Sequence, residues 1–393
     1  MARKSRPVTA CFPSGKPLTD MVDPVQTTSG FVAPGYENVL ELFESFTAAE
    51  AGYSAQLAVY HHGLQVVGLA CGSAMALDSI TGTYSCSKGV AAFVIALLIQ
   101  DGLIDLDNTV AHYWPEFAEH GKDRLLVREA LSHQAGLLGV EGGFPLDELT
   151  TPAAAARLAA ARPLWRPGRQ FGYHALTIGI LMEELCRRTA GEPLQRIYDR
   201  RLRLPFGVDF FLGLPPDQEA RYRNVLFQDT PGEQWLDPLS LEGLNSNSPL
   251  STIMELPNIR SVRAAGMSAA GGVGSAEGLA RLYAAATTGI AGGQPFLRAG
   301  TVDQMAQEQV WGLDRSSGLD NAFAVVFMKP HPSRNFGTHR AFGHEGASAA
   351  RGFADPSYAL GFGYVPQRQE EGRTPGKAHR LATAVRRSAA ALS

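Results

Sequence analysis

Ser85 and Lys88, three residues apart, are the pair in this sequence whose residue types and spacing most clearly suggest catalysis. A serine hydroxyl attacks a carbonyl carbon at neutral pH when a neighbouring base takes its proton. On a helix, residues i and i+3 lie on one face with Cβ atoms about 5–6 Å apart, so the two side chains can touch. Burial lowers the pKa of a lysine and lets it act as a base. The spacing therefore predicts a serine nucleophile that is activated by an adjacent lysine.

The residues around this pair predict that Ser85 lies at the start of a helix. Thr81, Gly82 and Thr83 are poor helix formers, whereas the apolar run over residues 86–103 is typical of a buried helix. The free N–H groups and the dipole of a helix N-terminus favour negative charge, so the N–H of Ser85 can form half of an oxyanion hole. A Ser-x-x-Lys match alone is weak evidence, since chance gives about 0.4 such pairs in this composition. Its place at a loop-to-helix junction is what favours catalysis.

The other elements predicted from the sequence suggest one sheet that is built from both ends of the chain. A helix is predicted from about Glu37 to Glu50, and a hairpin follows at residues 55–60 and 64–69. Strand-like runs return at residues 321–328 and 358–365. The chain between these two regions reads mainly as helical. This order predicts an α/β (α+β) protein in which an all-helical lobe is inserted into a sheet domain.

The predicted organisation has three parts. Residues 1–34 form an irregular arm rich in Pro and Gly, residues 35–90 and 263–393 form the sheet domain, and residues 91–262 form the helical lobe. Within that lobe, residues 205–262 are rich in Pro, Asn and Ser, and no regular structure is assigned to them. Further helices are predicted at about residues 175–190, 271–286 and 377–391.

Composition excludes several classes of function. The chain has 393 residues and a formal net charge of -3, and this charge indicates binding to neither nucleic acid nor an anionic membrane. No stretch reaches the roughly 18–20 apolar residues that span a bilayer, and the N-terminus lacks the apolar core of a secretory signal. The four cysteines form no CxxC pair and the histidines no HExxH motif. We therefore expect a soluble cytoplasmic protein with free thiols and with no metal, cofactor, membrane or nucleic-acid partner.

Several segments, taken in order, resemble the serine β-lactamase and penicillin-binding protein superfamily, for which the Ser-x-x-Lys motif is known. The resemblance spans roughly residues 35–366, and this collinearity is more specific than any one motif. It is nearest to class C β-lactamases and, within that branch, to family VIII carboxylesterases. It implies a β-lactamase-like fold with a central antiparallel sheet flanked by helices. The matching segments are SCSK at 85–88, GLIDLD at 102–107, LSHQAGL at 131–137, FGY at 171–173, AGGVGS at 270–275 and FGHEG at 342–346.

The resemblance also implies roles for individual residues. Tyr173 matches the tyrosine that opens the second motif of the family and assists the lysine as general base and acid. The N–H of Ala347, just after the third motif, would pair with the N–H of Ser85 as the oxyanion hole. Ser85 would then attack the acyl carbon, while Lys88 and Tyr173 take its proton and pass one to the leaving group. Water, or another alcohol or an amine, would remove the acyl group.

Two motifs depart from the β-lactamase pattern. The second reads YHA at residues 173–175 instead of Tyr-x-Asn, and the third reads HEG at residues 344–346 instead of Lys-Thr-Gly. In β-lactamases that asparagine holds the substrate amide and that lysine binds the substrate carboxylate. A histidine is partly charged at pH 7, and the adjacent glutamate would repel a carboxylate. We therefore expect an ester substrate, with His344, Gly346 and His174 as the residues that contact it.

Three functions are compatible with these residues. The first is a serine hydrolase that acts on small carboxylic esters through an acyl-enzyme on Ser85. The second is an acyltransferase or transacylase of the same fold, which passes an acyl group to an alcohol or amine in secondary metabolism. The third is a non-catalytic binding or sensing protein, which the joint presence of Ser85, Lys88 and Tyr173 disfavours. β-Lactamase and D-aminopeptidase activities are less favoured, and the nearest match to the G-x-S-x-G motif of α/β-hydrolases, GASAA at 346–350, lacks its last glycine.

Overall fold

The computed structural model of the protein describes residues 28–227, 236–247, 253–370 and 376–392. The strands within these ranges are β1 Thr28–Val32, β2 Ala55–His61, β3 Leu64–Cys71, β4 Ile80–Gly82, β5 Phe210–Phe211, β6 Tyr222–Arg223, β7 Val273–Gly274, β8 Val310–Leu313, β9 Asp320–Phe323, β10 Phe342–Glu345, β11 Arg351–Asp355 and β12 Leu360–Pro366. The α-helices are α1 Glu37–Ala49, α2 Cys86–Gln100, α3 Val110–Tyr113, α4 Val127–Ala130, α5 Pro152–Ala160, α6 Thr177–Ala190, α7 Leu194–Tyr198, α8 Leu204–Phe206, α9 Leu241–Asn245, α10 Arg260–Ala265, α11 Ala276–Thr287, α12 Ala299–Ala306 and α13 Lys377–Leu392. Short 3-10 or π turns cover Pro115–Gly121, Asp199–Arg203, Pro216–Arg221, Ile253–Asn258 and Pro356–Tyr358.

The main sheet has six antiparallel strands in the order β1-β3-β2-β12-β11-β10. Its two halves come from opposite ends of the chain and meet where β12 pairs with β2, with Leu360 opposite His61 and Pro366 opposite Ala55. Every residue of these two strands is buried, because helices cover both faces of the sheet. Helices α1 and α13 pack on one face, and α11 packs on the other. The predicted sheet from both ends of the chain is thus confirmed, and α1 and α13 lie where the first and last helices were predicted.

In the predicted helical lobe, residues 91–262, the strands among the described residues are β5 and β6, and the other regular elements are helices. Those two short strands join β4 and β7 in a second sheet of order β5-β7-β4-β6, so the lobe is not all-helical as predicted. Each of these strands is two or three residues long and carries no periodic pattern that sequence could reveal. The predicted boundary after residue 90 falls inside α2, which packs on β10 of the sheet domain and on α6 of the insert.

Two further predictions differ from the structure. Residues 28–32 form the edge strand β1, paired with β3 from Thr28–Cys71 to Val32–Val67, and are not part of an irregular arm. Residues 1–27 of that arm lie outside the described ranges. The strand predicted over residues 321–328 ends at Phe323, because Val326 adopts φ 67° and its N–H donates to the carbonyl of Leu131 at 2.7 Å. Both differences arise from partners that are distant in sequence.

The segment over residues 205–262, for which no regular structure was predicted, contains short elements from α8 to α10. Residues 228–235 and 248–252 of it lie outside the described ranges. Cys71, Cys86 and Cys186 are buried free thiols, whereas Cys11 is not among the described residues. In the described ranges, no helix has both the length and the apolar character needed to cross a membrane.

Candidate active site

Ser85 lies in the tight turn that connects β4 to α2. The turn is held from both sides, since the N–H of Thr83 donates to the carbonyl of Gly272 at 3.1 Å and the hydroxyl of Tyr84 donates to the carbonyl of Met254 at 2.6 Å. Tyr84 adopts φ 48°, in the left-handed region that side chains rarely occupy. Ser85 is partly exposed, whereas its neighbours over 79–84 and 86–98 are all buried. The turn therefore presents this one hydroxyl to solvent.

The three residues predicted to act together meet at the Ser85 hydroxyl. Lys88 Nζ lies 2.9 Å from Ser85 Oγ, and the hydroxyl of Tyr173 donates to the same oxygen at 2.8 Å. The amine also donates to the carbonyl of Ala269 at 2.8 Å and lies 4.9 Å from the centre of the Tyr173 ring. Tyr173 is 88 residues from Ser85 in sequence. The fold thus places a candidate base and a candidate acid on one nucleophile.

The charge states of these groups follow from their burial. Lys88 is wholly buried, and burial lowers its pKa well below the ordinary value. Burial raises the pKa of the Tyr173 phenol, an effect that outweighs the opposing hydrogen bond to Ser85. The amine therefore loses its proton more readily than an exposed lysine does and can then take one from Ser85, and the phenol keeps a proton that it can donate. The pair can take one proton and supply another within a single site.

Gly89 allows α2 to pack closely against its neighbours directly after Lys88. A Cβ atom at this position would lie 2.2 Å from the hydroxyl oxygen of Tyr283 and 3.2 Å from the Cβ of His344. A side chain here would push α2 away from α11 and β10. Gly89 thus allows α2, which carries Lys88, to pack directly against α11 and β10.

Gly346 makes an equally close approach on the other side of Ser85. A Cβ atom on it would lie 2.1 Å from the carbonyl oxygen of Thr83, two residues before the nucleophile. The N–H of Gly346 donates to the carbonyl of Ala350 at 2.8 Å, which closes a turn around Ala347. Neither the N–H of Ala347 nor that of Ser85 has a backbone acceptor within the described ranges. Both predicted oxyanion-hole donors are thus available for a ligand.

We expect Gly346→Ala to lower kcat/KM for an activated ester by about 100-fold, the loss typical of one missing oxyanion-hole donor. The new methyl group would collide with the Thr83 carbonyl and displace the Ala347 N–H, and this overpacking should cost about 1–3 kcal/mol of unfolding free energy. Ester assays and urea titrations of the same preparation measure both effects. Gly300→Ala is the matched control, because a Cβ there meets no atom within 4 Å. Equal activity of the two variants would contradict this account of Gly346.

His174 lies behind the site and contacts only protein. It is wholly buried, its Nδ1–H donates to the carbonyl of Gly172 at 2.6 Å, and its Nε2 accepts from the N–H of Leu137 at 3.0 Å. Its backbone N–H donates to Nδ1 of His133 at 3.0 Å. With both ring nitrogens occupied, His174 has no group left for a substrate. The prediction that it contacts the substrate does not agree with this geometry, and its side chain instead joins two loops around Tyr173.

His344 lies next to Tyr173, but its imidazole is neutral and adds no charge to the site. Burial and then the neighbouring Lys88 lower its pKa to about 3. Its Nδ1–H donates to the carbonyl of Glu345 at 2.9 Å, and its ring centre lies 6.0 Å from that of Tyr173. The expectation that this histidine is partly charged at pH 7 is therefore corrected. Sequence could not reveal this, because the burial comes from elements far away in the chain.

Glu345 carries a charge, but that charge is compensated. Its carboxylate lies 3.0 Å from Arg334 Nε and also pairs with Arg351. Burial would raise the pKa of Glu345, but the two guanidinium groups hold it below its usual value. The repulsion of a substrate carboxylate that we expected from the sequence is therefore offset by two arginines, of which Arg351 lies opposite Glu345 in the β10–β11 pair.

Three buried histidines, His133, His174 and His344, predict a loss of stability in mild acid. Burial lowers the pKa of all three, to about 4 for His174 and about 3 for His344, whereas an unfolded histidine titrates near 6.5. The unfolded state therefore binds more protons as the pH falls from about 6.5, and each histidine should remove about 1.4 kcal/mol of unfolding free energy per pH unit. Urea unfolding at pH 7, 6 and 5 measures this slope.

His344→Asn should reduce this slope by one proton, because the ring that it removes is held neutral in the folded protein. An unfolding free energy that stays constant between pH 6.5 and pH 5 would show that these rings are not held neutral.

Sequence reasoning missed two contributors to the site. The carbonyl of Ala269 orients Lys88, and a backbone acceptor of this kind has no sequence signal. Asp314 accepts the N–H of Tyr173 at 3.1 Å, and the composition DRSSG at 314–318 indicates a turn but not this partner. Among the described residues, no group of three or more His, Cys, Asp or Glu could hold a metal ion.

Comparison with known proteins gives consistent matches over nearly the whole chain. The beta-lactamase family model matches residues 39–386. The esterase/beta-lactamase LipL of Mycobacterium tuberculosis is 32% identical over 372 residues, which cover 86% of this chain and 82% of that protein. The solved structure of EstA from Arthrobacter nitroguajacolicus Rue61a has a TM-score of 0.91 and 51% identity, covering 93% of this chain and 99% of EstA. A family VIII carboxylesterase structure has a TM-score of 0.83 and 29% identity, covering 92% and 100%.

Proposed function

The chain belongs to the beta-lactamase family and is an enzyme similar to esterases of that family, and from this premise we propose that it hydrolyses carboxylic esters through an acyl-enzyme on Ser85. One observation carries the proposal. The hydroxyl oxygen of Ser85 lies within hydrogen-bond distance of both the buried amine of Lys88 and the hydroxyl of Tyr173. A nucleophile with a neutral base and a proton donor at its oxygen is what acyl transfer requires.

In the first half of the reaction, Ser85 Oγ attacks the acyl carbon while its proton passes to the lone pair of Lys88. The acyl oxygen, now negative, accepts from the N–H groups of Ser85 and Ala347. The bond to the leaving alkoxide then breaks, and Tyr173 donates its hydroxyl proton to that oxygen. The ammonium of Lys88 returns a proton to Tyr173, so the acyl-enzyme forms with both groups neutral.

In the second half, water attacks the acyl carbon and gives its proton to the same pair of groups. The bond to Ser85 Oγ breaks, the serine regains a proton, and the carboxylic acid leaves. Burial disfavours the charged forms of Lys88, Tyr173 and His344, which favours an uncharged ester over an anionic substrate. A β-lactam substrate would find no cation at His344 for its carboxylate.

Acyl transfer to an alcohol or amine shares every step up to the acyl-enzyme and differs in the second nucleophile. The test is therefore turnover of p-nitrophenyl butyrate with and without ethanolamine or glycerol, with nitrophenol, butyric acid and acylated acceptor measured together. We expect butyric acid to dominate at every acceptor concentration. A predominance of the acylated acceptor would show that the protein is a transferase.

A second measurement locates the nucleophile. A fluorophosphonate ester should attach covalently to the peptide that contains Ser85, as read by peptide mass spectrometry. Attachment to another serine would disprove the mechanism even if ester hydrolysis were observed.

A further inference from the structure

Asp314, at the end of β8, is a wholly buried carboxylate that is surrounded by donors. The N–H of Tyr173 lies 3.1 Å from both of its oxygens. The N–H groups of Ser316 and Ser317 donate to Oδ1 at 2.8 and 3.3 Å, and the side-chain amide of Asn321 donates to Oδ2 at 3.0 Å. Because a buried carboxylate is costly unless it is fully hydrogen-bonded, this set of donors stabilises it.

One of these contacts is not needed to form the turn. An aspartate that caps its own turn needs only the N–H groups two and three residues ahead, here those of Ser316 and Ser317. Tyr173 is 141 residues away in sequence. The hydroxyl of Ser316 lies between the two residues, 2.8 Å from Oδ1 of Asp314 and 3.1 Å from the carbonyl oxygen of Tyr173. The turn thus contacts both backbone polar groups of the residue that donates to Ser85.

The same hairpin also holds the Tyr173 ring. Phe323, in β9, stacks on it with centres 5.8 Å apart and planes at 13°. Residues 171–174 belong to no helix or strand, so Tyr173 depends on such contacts for its position. Its hydroxyl must stay 2.8 Å from Ser85 Oγ, and a shift of about 1 Å in such a group can cost about 100-fold in rate.

A chain of polar contacts continues from Asp314 to the third motif. Asn321 accepts from Arg334 Nη1 at 2.8 Å, and Arg334 Nε lies 3.0 Å from Glu345. The buried carboxylate is therefore linked through one amide to a guanidinium, and through it to the end of β10. This network joins the two walls of the site on either side of Ser85.

We propose that Asp314 is a positioning residue, which holds Tyr173 so that its hydroxyl can protonate the leaving group. The inference rests on the proposed role of Tyr173 as the proton donor. The carboxylate acts through the backbone of Tyr173 and does not touch the substrate.

Leaving-group dependence tests this role. p-Nitrophenolate leaves without a proton, whereas ethoxide requires one, so kcat/KM for ethyl butyrate depends on the proton donor far more than kcat/KM for p-nitrophenyl butyrate. Asp314→Asn keeps the shape of the side chain but turns an N–H group toward other donors. We expect it to lower kcat/KM about 30-fold for the ethyl ester and less than about threefold for the p-nitrophenyl ester. Tyr173→Phe should show the same selectivity, with a larger loss.

The double variant that carries both Asp314→Asn and Asn321→Asp is the matched control. It reverses the amide–carboxylate pair, so the new amide donates to the new carboxylate, which still faces Arg334. We expect it to restore the ethyl ester rate to within about threefold of the natural protein. A double variant that is no better than Asp314→Asn would overturn the inference.

The other outcomes are also decisive. Equal losses on both esters in Asp314→Asn would show a merely structural role and overturn the inference. If Tyr173→Phe lacks leaving-group selectivity, the proposed role of Tyr173 fails instead. Should Asp314→Asn not fold, Ser316→Ala replaces it, since it removes the hydroxyl that contacts both Asp314 and the Tyr173 carbonyl. An equal change on both esters would again overturn the proposal.

Discussion

Ser85→Ala is expected to lower kcat/KM for p-nitrophenyl butyrate by on the order of 10⁴-fold or more, as loss of a nucleophile does in other serine enzymes. Without the hydroxyl no acyl-enzyme can form, although Lys88 and Tyr173 remain in place. The fold should not change, because Ser85 is partly exposed and its side chain makes no cap bond at the start of α2. Steady-state ester assays and thermal unfolding of the purified variant measure the two quantities.

Ser348→Ala is the control for this substitution. Ser348 is wholly buried beside the third motif, and its hydroxyl has no hydrogen-bond partner among the described residues. It is also the serine of the GASAA segment that partly matches the α/β-hydrolase motif. Removal of an unpaired buried hydroxyl should be neutral or slightly stabilising. Retention of activity in Ser85→Ala, or its loss in Ser348→Ala, would refute the assignment of the nucleophile.

Lys88→Met is expected to lower kcat/KM by about 10³-fold, in the range that general-base catalysis supplies, and to stabilise the fold. In the unfolded chain this lysine has the ordinary lysine pKa of about 10.4, whereas burial lowers its pKa well below that value in the folded protein. Between the folded and the unfolded pKa, folding therefore releases a proton from Lys88, a cost that a methionine of similar length avoids. The loss of the hydrogen bond to the Ala269 carbonyl, about 1 kcal/mol, offsets part of the gain.

The pH dependence distinguishes this cause from improved packing. Between the lowered folded pKa and about 10.4, the unfolded state binds one more proton at Lys88, so the unfolding free energy rises with pH by about 1.4 kcal/mol per unit. Lys88→Met should lose this slope. Urea unfolding at pH 7, 8 and 9 reports it for both proteins.

Lys122→Met provides the control for a buried lysine away from the site. Lys122 Nζ donates to the carbonyls of Glu119 and Ala161 at 2.7 and 2.8 Å. Its replacement removes both hydrogen bonds and leaves the Ala161 carbonyl without this donor, so it should reduce stability, with activity within about twofold of the natural protein. If Lys88→Met kept full activity, or if the two variants behaved alike, Lys88 would not be the base.

Much of the architecture could be predicted because it depends on local patterns. The helices near residues 37–50 and 377–391, the hairpin of β2 and β3 and the start of α2 follow from apolar spacing and turn residues. The edge strand β1 and the two-residue strands of the second sheet could not be predicted in this way. Their pairing depends on partners elsewhere in the chain, and segments so short have no periodicity of their own.

The amino-acid sequence by itself determined the core of the candidate site. Ser85 and Lys88 are three residues apart at a helix start, so their contact is local, and the apolar run after them ensures that the amine is buried. The order of the motifs along the chain added Tyr173 and Ala347 to the predicted site. Tertiary structure alone decided the charges around them, because burial and hydrogen-bond partners depend on residues that the fold brings together from distant parts of the chain. The tertiary structure buried His344, which makes it neutral, and brought the carboxylate of Asp314 to the backbone N–H of Tyr173.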